Sequence, residues 1–148
     1  MNPKPAEKKK TVKLKIGDQP HYTIMGISSH ENDYRLVWAL NEQLKMQFIR
    51  TGNLTVHDPK IKADLEFSRY IFTDEERYLK YELFSNRCDN GFLFPEIKNV
   101  DYLLMISGEL NHATFEALIK RTRKIDIVST AFTIQASHLK NIDKISTD

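Results

Sequence analysis

Residues 94–106 read FPEIKNVDYLLMI, a proline and two carboxylates set just ahead of the most apolar run in the chain. Proline has no amide to donate, so Pro95 ends the short extended segment 92–94 and makes residues 96–99 a turn. Residues 100–106 are apolar on both faces, as a central strand of a sheet would be. Asp101 then stands where the buried strand begins, its carboxylate placed to accept amides of the preceding turn. Glu96 is expected to be exposed beside basic residues of a neighbouring element. On this reading the two carboxylates fix a corner.

C-terminal to the run, Asn111 is a good helix N-cap, and Leu110 before it can meet Phe115 as a hydrophobic staple. Phe115, Leu118, Ile119 and Thr122 make one face of this helix. Glu116, Lys120, Arg121, Arg123 and Lys124 make the other, with the cations at the end that the dipole favours. Residues 125–134 read as a last strand. Residues 136–148 read as a C-terminal turn or tail in which Leu139, Ile142 and Ile145 pack lightly.

N-terminal to the run, residues 77–85 alternate Leu79, Tyr81 and Leu83 against Lys80 and Glu82. They form a hairpin with residues 65–72 across the polar turn 73–76. Residues 86–91, NRCDNG, make another turn. Residues 46–49 suggest a strand, and residues 51–64, with Gly52, Asp58 and Pro59, a loose connection. Before these, Leu36, Val37, Leu40 and Leu44 recur at helical spacing over residues 32–45, with Tyr34 and Trp38 one turn apart beside them. Ser28 and Glu31 have capping-box spacing at its start, and Glu31 can pair with Arg35. Residues 22–27 and 12–16 read as strands separated by a turn at 17–20. The expected fold is an α+β two-layer sandwich, a mainly antiparallel sheet with two helices packed on one face.

The 148 residues, 41% of them hydrophobic, suit one domain, placed at residues 12–135 behind a basic disordered tail at 1–11. Cys88 is the single cysteine, so an internal disulfide and a cysteine pair for metal or redox chemistry are both excluded. A reducing, cytoplasmic setting fits. No apolar stretch follows the lysine-rich N-terminus as in a secretory signal, and none approaches the ~18 residues of a membrane span. The net charge of +2 is unevenly spread: residues 1–15 carry six lysines against Glu7, and the remainder has 16 basic and 19 acidic residues. The body is mildly acidic, which argues against a globally basic nucleic-acid surface and leaves a basic arm.

The segment FPEIKNVDY resembles the signature of the IPExxxVDY family of small bacterial proteins of the Bacteroidota. Pro95, Glu96, Val100, Asp101 and Tyr102 match it, and Phe94 stands in place of isoleucine. The resemblance extends to Ser28 and Ser29, to Asp33, Tyr34, Arg35 and Leu36, and to Leu40 and Asn41, most of residues 12–135. It implies a shared fold and carries over no catalytic or ligand-binding residue.

An acid and base pair or a metal site at Glu96 and Asp101 would need a third positioning group and further ligands. The pattern Glu96-Ile97-Lys98 matches half of a nuclease motif, but Glu7-Lys8-Lys9 has the same spacing in the tail. His21, His30, His57, His112 and His138 have no metal-ligand spacing among them. Cys88 beside Arg87 has no sequence-adjacent histidine to activate it. The five glycines are scattered singly, without a phosphate-binding loop. No cofactor, metal or catalytic residue is assigned. The expected role is a non-enzymatic protein-interaction or adaptor module, with Asp33, Tyr34 and Arg35 as candidate interaction surface and Tyr70, Tyr78 and Tyr81 as exposed aromatics. The alternative is an RNA-associated protein contacting phosphate through Lys8, Lys9, Lys10, Lys120, Arg121, Arg123 and Lys124. A protein partner is expected, RNA is the second choice, no membrane is involved, and an unpaired sheet edge would suit a homodimer.

Overall fold

A computed structural model describes residues 22–145; the expected basic tail, the strand at 12–16, the turn at 17–20, Lys8, Lys9 and Lys10 lie outside the described residues. In chain order the elements are β1 (Tyr22–Ser28), α1 (Asp33–Leu44), β2 (Ile49–Arg50), β3 (Leu54–Asp58), β4 (Ala63–Phe67), β5 (Arg69–Asp74) and β6 (Leu79–Ser85). They continue with β7 (Arg87–Cys88), β8 (Gly91–Phe92), β9 (Tyr102–Ser107), α2 (His112–Arg123) and β10 (Thr130–Ile134), with single helical turns at Pro95–Ile97, Ala136–His138 and Ile142–Ile145.

Six strands form one sheet in the order β10-β1-β9-β6-β5-β2, antiparallel at every step. The run that begins FPEIKNV thus supplies a central strand, as expected: β9 is paired to β1 on one side and β6 on the other. Its side chains alternate between two cores. Tyr102, Leu104 and Ile106 meet Leu36 and Leu40 of α1 and Phe115 and Ile119 of α2. Leu103 and Met105 point the other way, toward Phe67, Phe84 and Phe94. The α+β sandwich with both helices on one face is therefore present.

Each helix starts where a side chain satisfies its first amides. Asn111 accepts from Thr114 N at 2.7 Å, as expected. For α1 the cap is Asn32, which accepts from Arg35 N at 3.2 Å, and the capping box expected at Ser28 does not form. Ser28 is still the end of a strand, and its hydroxyl donates to the Asn99 carbonyl at 2.8 Å. The last strand is likewise shorter than residues 125–134. Val128 N closes a turn onto Ile125 O at 2.9 Å before β10 begins at Thr130.

The sheet face away from the helices is not left to water. Residues 51–64, expected as a loose connection, contain β3 and the start of β4, a hairpin whose Leu54, Leu65 and Phe67 cover that face. The expected strand 65–72 is accordingly two strands, β4 and β5, broken at Ser68. Leu93, Phe94, Leu139 and Ile145 complete the cover, so the C-terminal segment is packed rather than lightly attached. This layer buries Glu82 of β6, where alternation suggested a solvated side chain; its carboxylate accepts from Arg69 Nη2 at 2.6 Å.

Candidate functional site

The two carboxylates of the FPEIKNVDY segment sit in separate places. Asp101 Oδ2 accepts the backbone amide of Ser29 at 2.8 Å, and Oδ1 pairs with the Arg87 guanidinium. Its partner is thus an amide 72 residues back in sequence, not one of the 96–99 turn as expected. Glu96 is exposed and its Oε2 accepts Lys140 N at 2.6 Å, which ties the C-terminal segment to the turn. Lys144 Nζ lies over the Phe94 ring at 4.4 Å, and burial lowers its pKa although Glu96 and Asp58 pull it up. Pro95 opens the helical turn that ends the 92–94 segment, and Val100 is fully buried. The Tyr102 hydroxyl donates to the Glu31 carbonyl at 2.6 Å. Burial, then the nearby Asp33 and Asp101 carboxylates, hold that phenol protonated well above the ordinary tyrosine range.

The residue that organises this corner is Asn86, read from the sequence only as part of a turn. It is fully buried. Its Oδ1 accepts Phe94 N at 2.8 Å, and its Nδ2 faces the carbonyls of Val100 at 2.9 Å, Ile97 at 3.1 Å and Phe94 at 3.4 Å. One amide side chain therefore holds both ends of the turn against the end of β6. The Ser29 hydroxyl extends the network by donating to Ile127 O at 2.6 Å.

Among the described residues, neither Glu96 nor Asp101 lines any of three prominent surface clefts. A polar cleft of about 400 Å³ lies near the start of α1, where Arg50 Nη1 donates to Asp33 Oδ2 at 3.1 Å and Arg87 and Cys88 form another side. Of its charged groups, Arg50 and Asp33 pair with each other, Glu66 accepts from Asn53, and Arg87 pairs with Asp101 outside the cleft. Among the described residues no cluster of three His, Cys, Asp or Glu side chains has the arrangement to hold a metal ion. His57 instead faces Asp64 at 3.0 Å, and His112 lies 3.9 Å from Glu116.

The second cleft, of about 550 Å³, is apolar and lies along α1, between Tyr34, Arg35, Trp38 and Ala39 and the side chain of Ile127. Tyr34 is 64% exposed and Trp38 68%, unusual for large aromatic side chains one helical turn apart. Arg35 pairs with Glu31 at 3.1 Å on the wet side, as expected. Asp33 is the residue of the 33–35 trio that turns away, accepting from Arg50. Tyr78 is exposed as expected, but Tyr70 and Tyr81 are buried beneath α1 and the chain that follows it. Their strand positions face the helices, so alternation puts them in the core. Trp38 was legible in the sequence as a helix residue beside the apolar stripe. What placed it outside the stripe was its angular offset from Leu36 and Leu40.

The basic end of α2 is only partly available. Lys120, Arg121, Arg123 and Lys124 are all exposed. Arg123 Nε, however, donates to Ala131 O at 2.7 Å and so covers the outer edge of β10, and Arg121 Nη2 reaches Gln43 O at 3.5 Å. Among the described residues no helix is long and apolar enough to cross a membrane. No protein-family model matches the chain, and no curated protein matches it.

Proposed function

We propose that the chain is a non-enzymatic protein-interaction module that docks a partner protein on the α1 face formed by Tyr34, Arg35 and Trp38. The supporting observation is the exposure of Tyr34 and Trp38 over an apolar cleft, because exposed aromatics and arginine are the residue types that dominate binding energy at protein interfaces. Both are held on one rigid helix whose other face is anchored by Leu36 and Leu40, so little order would be lost on binding. The single cysteine and the reading as a small adaptor suit a cytoplasmic setting. The likeness of residues 94–102 to the IPExxxVDY signature is compatible with this proposal and adds no reactive residue to it.

The test is capture from native cells by the tagged chain, with ribonuclease treatment, comparing wild type with Tyr34→Ala/Trp38→Ala and with Tyr78→Ala. The expected result is a defined protein retained after ribonuclease by wild type and Tyr78→Ala, and lost by the double variant. Loss of everything bound on ribonuclease treatment would replace this reading by RNA association through Lys120 and Lys124, whose affinity would fall steeply with salt.

A further inference from the structure

We propose that the third cleft, at the C-terminal end of α1, is a binding site for a small aromatic carboxylate. The proposal is independent of the docking face, since no residue lines both clefts. The cleft has a volume of about 360 Å³, within the range of small-ligand sites, and lies between the end of α1, one side of α2 from Thr114 to Arg121 and the β5–β6 hairpin. Its wall is apolar and aromatic. Phe72 is half-buried and stacked on Tyr81 with ring centroids 5.3 Å apart, and Leu118 of α2 lies opposite. A planar ring can enter alongside such a pair.

The rim is cationic. Lys45, Arg77 and Arg121 all line the cleft, against the single carboxylate of Asp74. That carboxylate is already engaged: Oδ2 accepts Arg77 Nη1 at 3.0 Å, and Oδ1 accepts the amides of Glu76 at 3.1 Å and Arg77 at 3.2 Å. Arg121 answers one C-terminal carbonyl of α1, that of Gln43, through a single long N–H contact, which leaves the rest of its fork for a ligand. Lys45 is exposed and makes no ion pair with any described residue. Its backbone is in the left-handed region, φ 57°, with its amide spent on Asn41 O, so the side chain leaves the helix end at the cleft rim. An apolar wall with unspent cations at its mouth selects an anion with a flat apolar body over the corresponding amine or alcohol.

The experiment is an amide-resolved NMR titration of the full chain with phenylbutyrate, phenylbutylamine and phenylbutanol in parallel. Saturable shifts at Leu79, Ala117 and Leu118 with phenylbutyrate, about tenfold tighter than with the amine or the alcohol, are expected. The substitution pair Lys45→Gln/Arg121→Gln should remove that preference while leaving the rest of the spectrum unchanged. Equal affinity for the three probes, shifts centred instead on Tyr34 and Trp38, or no saturable shift would each overturn the assignment. Substitution of Tyr34 and Trp38 should leave phenylbutyrate binding intact, so failure here and failure of the docking reading are distinguishable.

Discussion

The Asp101 carboxylate accepts the backbone amide of Ser29 at 2.8 Å, joining the start of β9 to the end of β1 through a side chain rather than through the sheet ladder. Ser29 is 2% exposed, so without Asp101 its amide would be buried with no partner. A charged acceptor on a buried amide is worth about 1.5–3 kcal/mol, and the Arg87 guanidinium would lose its partner as well. Asp101→Ala should therefore cost about 2–3 kcal/mol in urea unfolding, and Asp101→Asn, which keeps an acceptor, about half of that. Arg87→Ala should cost under about 1 kcal/mol, because that guanidinium is largely exposed. Equal losses in Asp101→Ala and Arg87→Ala would mean that the ion pair, not the amide, carries the corner.

Asn86 offers a sharper case, because its Oδ1 accepts the Phe94 amide while its two N–H groups face the carbonyls of the 94–100 turn, that of Val100 at the shortest distance. Asn86→Ala leaves the Phe94 amide and the Val100 carbonyl without partners, while the Phe94 and Ile97 carbonyls keep the Ile97 and Val100 amides, and should cost about 3 kcal/mol. Asn86→Asp should fare no better: a carboxylate can still accept from Phe94 N but cannot donate to the carbonyls, which then face a negative charge. Thermal unfolding of both variants checks this. A mild effect of Asn86→Asp would show that the donor half of the amide is dispensable.

These two residues also show where sequence reading stops. The alternation in residues 100–106 and the helical stripes of α1 and α2 are local patterns, and they locate the central strand and both buried helix faces because each is set by neighbours a few positions away. Asn86 lies in NRCDNG, where turn chemistry explains every residue without a distant partner. Its bonds run to residues 8 to 14 positions on, and only the folded chain supplies them. The β3–β4 hairpin was partly legible: Leu54 and Val56 alternate with Thr55 and His57, and Leu65 and Phe67 mirror them across Pro59. Gly52, Asp58 and Pro59 favour a loop instead. That hairpin covers the second sheet face, and the burial of Glu82 there is not visible in the local alternation of residues 79–83. The exposed aromatics depend on the same geometry: Trp38 was visible beside the stripe, whereas the depth of Tyr70 and Tyr81 depends on how far α1 and the segment after it reach across the sheet.

Tyr70, Tyr81 and Tyr102 all have phenol pKa values raised above the ordinary 10.0. Burial is the first cause in each; at Tyr81 the Asp74 carboxylate adds to it, and at Tyr102 those of Asp33 and Asp101. Unfolded tyrosines release protons near pH ~10 while the folded ones keep theirs, so the stabilisation is fully present below that pH and is lost as the pH rises beyond it. Each such tyrosine contributes a slope of up to ~1.4 kcal/mol per pH unit. Tyr102→Phe should cost about 1 kcal/mol at neutral pH through the lost bond to Glu31 O, and should flatten the alkaline decline by one tyrosine's share. Urea midpoints between neutral and strongly alkaline pH measure both. An alkaline decline as steep as that of wild type would contradict the assignment.

Trp38→Ala and Tyr34→Ala should leave thermal stability within about 0.5 kcal/mol of wild type, since both side chains are mostly in water. The neighbouring stripe gives the contrast: Leu40→Ala removes a fully buried side chain of the same helix and should cost about 2–5 kcal/mol. If Trp38→Ala destabilises the fold as Leu40→Ala does, the indole is a packing residue, and any loss of partner in the docking variant would reflect unfolding rather than a broken interface.

The C-terminal segment is a further part of the core. Leu139 is 6% exposed and Ile145 3%, both against the sheet face that also holds Phe94, and Glu96 accepts the Lys140 amide between them. Burying one such side chain contributes about 1.5–3 kcal/mol, so ending the chain after Gln135 should cost about 3–5 kcal/mol and expose Phe94. A surface tail removed in the same way would shift stability by about 0.5 kcal/mol or less. The double substitution Leu139→Ala/Ile145→Ala in the full chain separates packing from chain length: it should reproduce most of the loss while retaining the Glu96 bond to Lys140. Were the truncated chain as stable as the full one, the second sheet face would be sealed by the β3–β4 hairpin and Leu93 alone, and Glu96 would hold a segment that the core does not need.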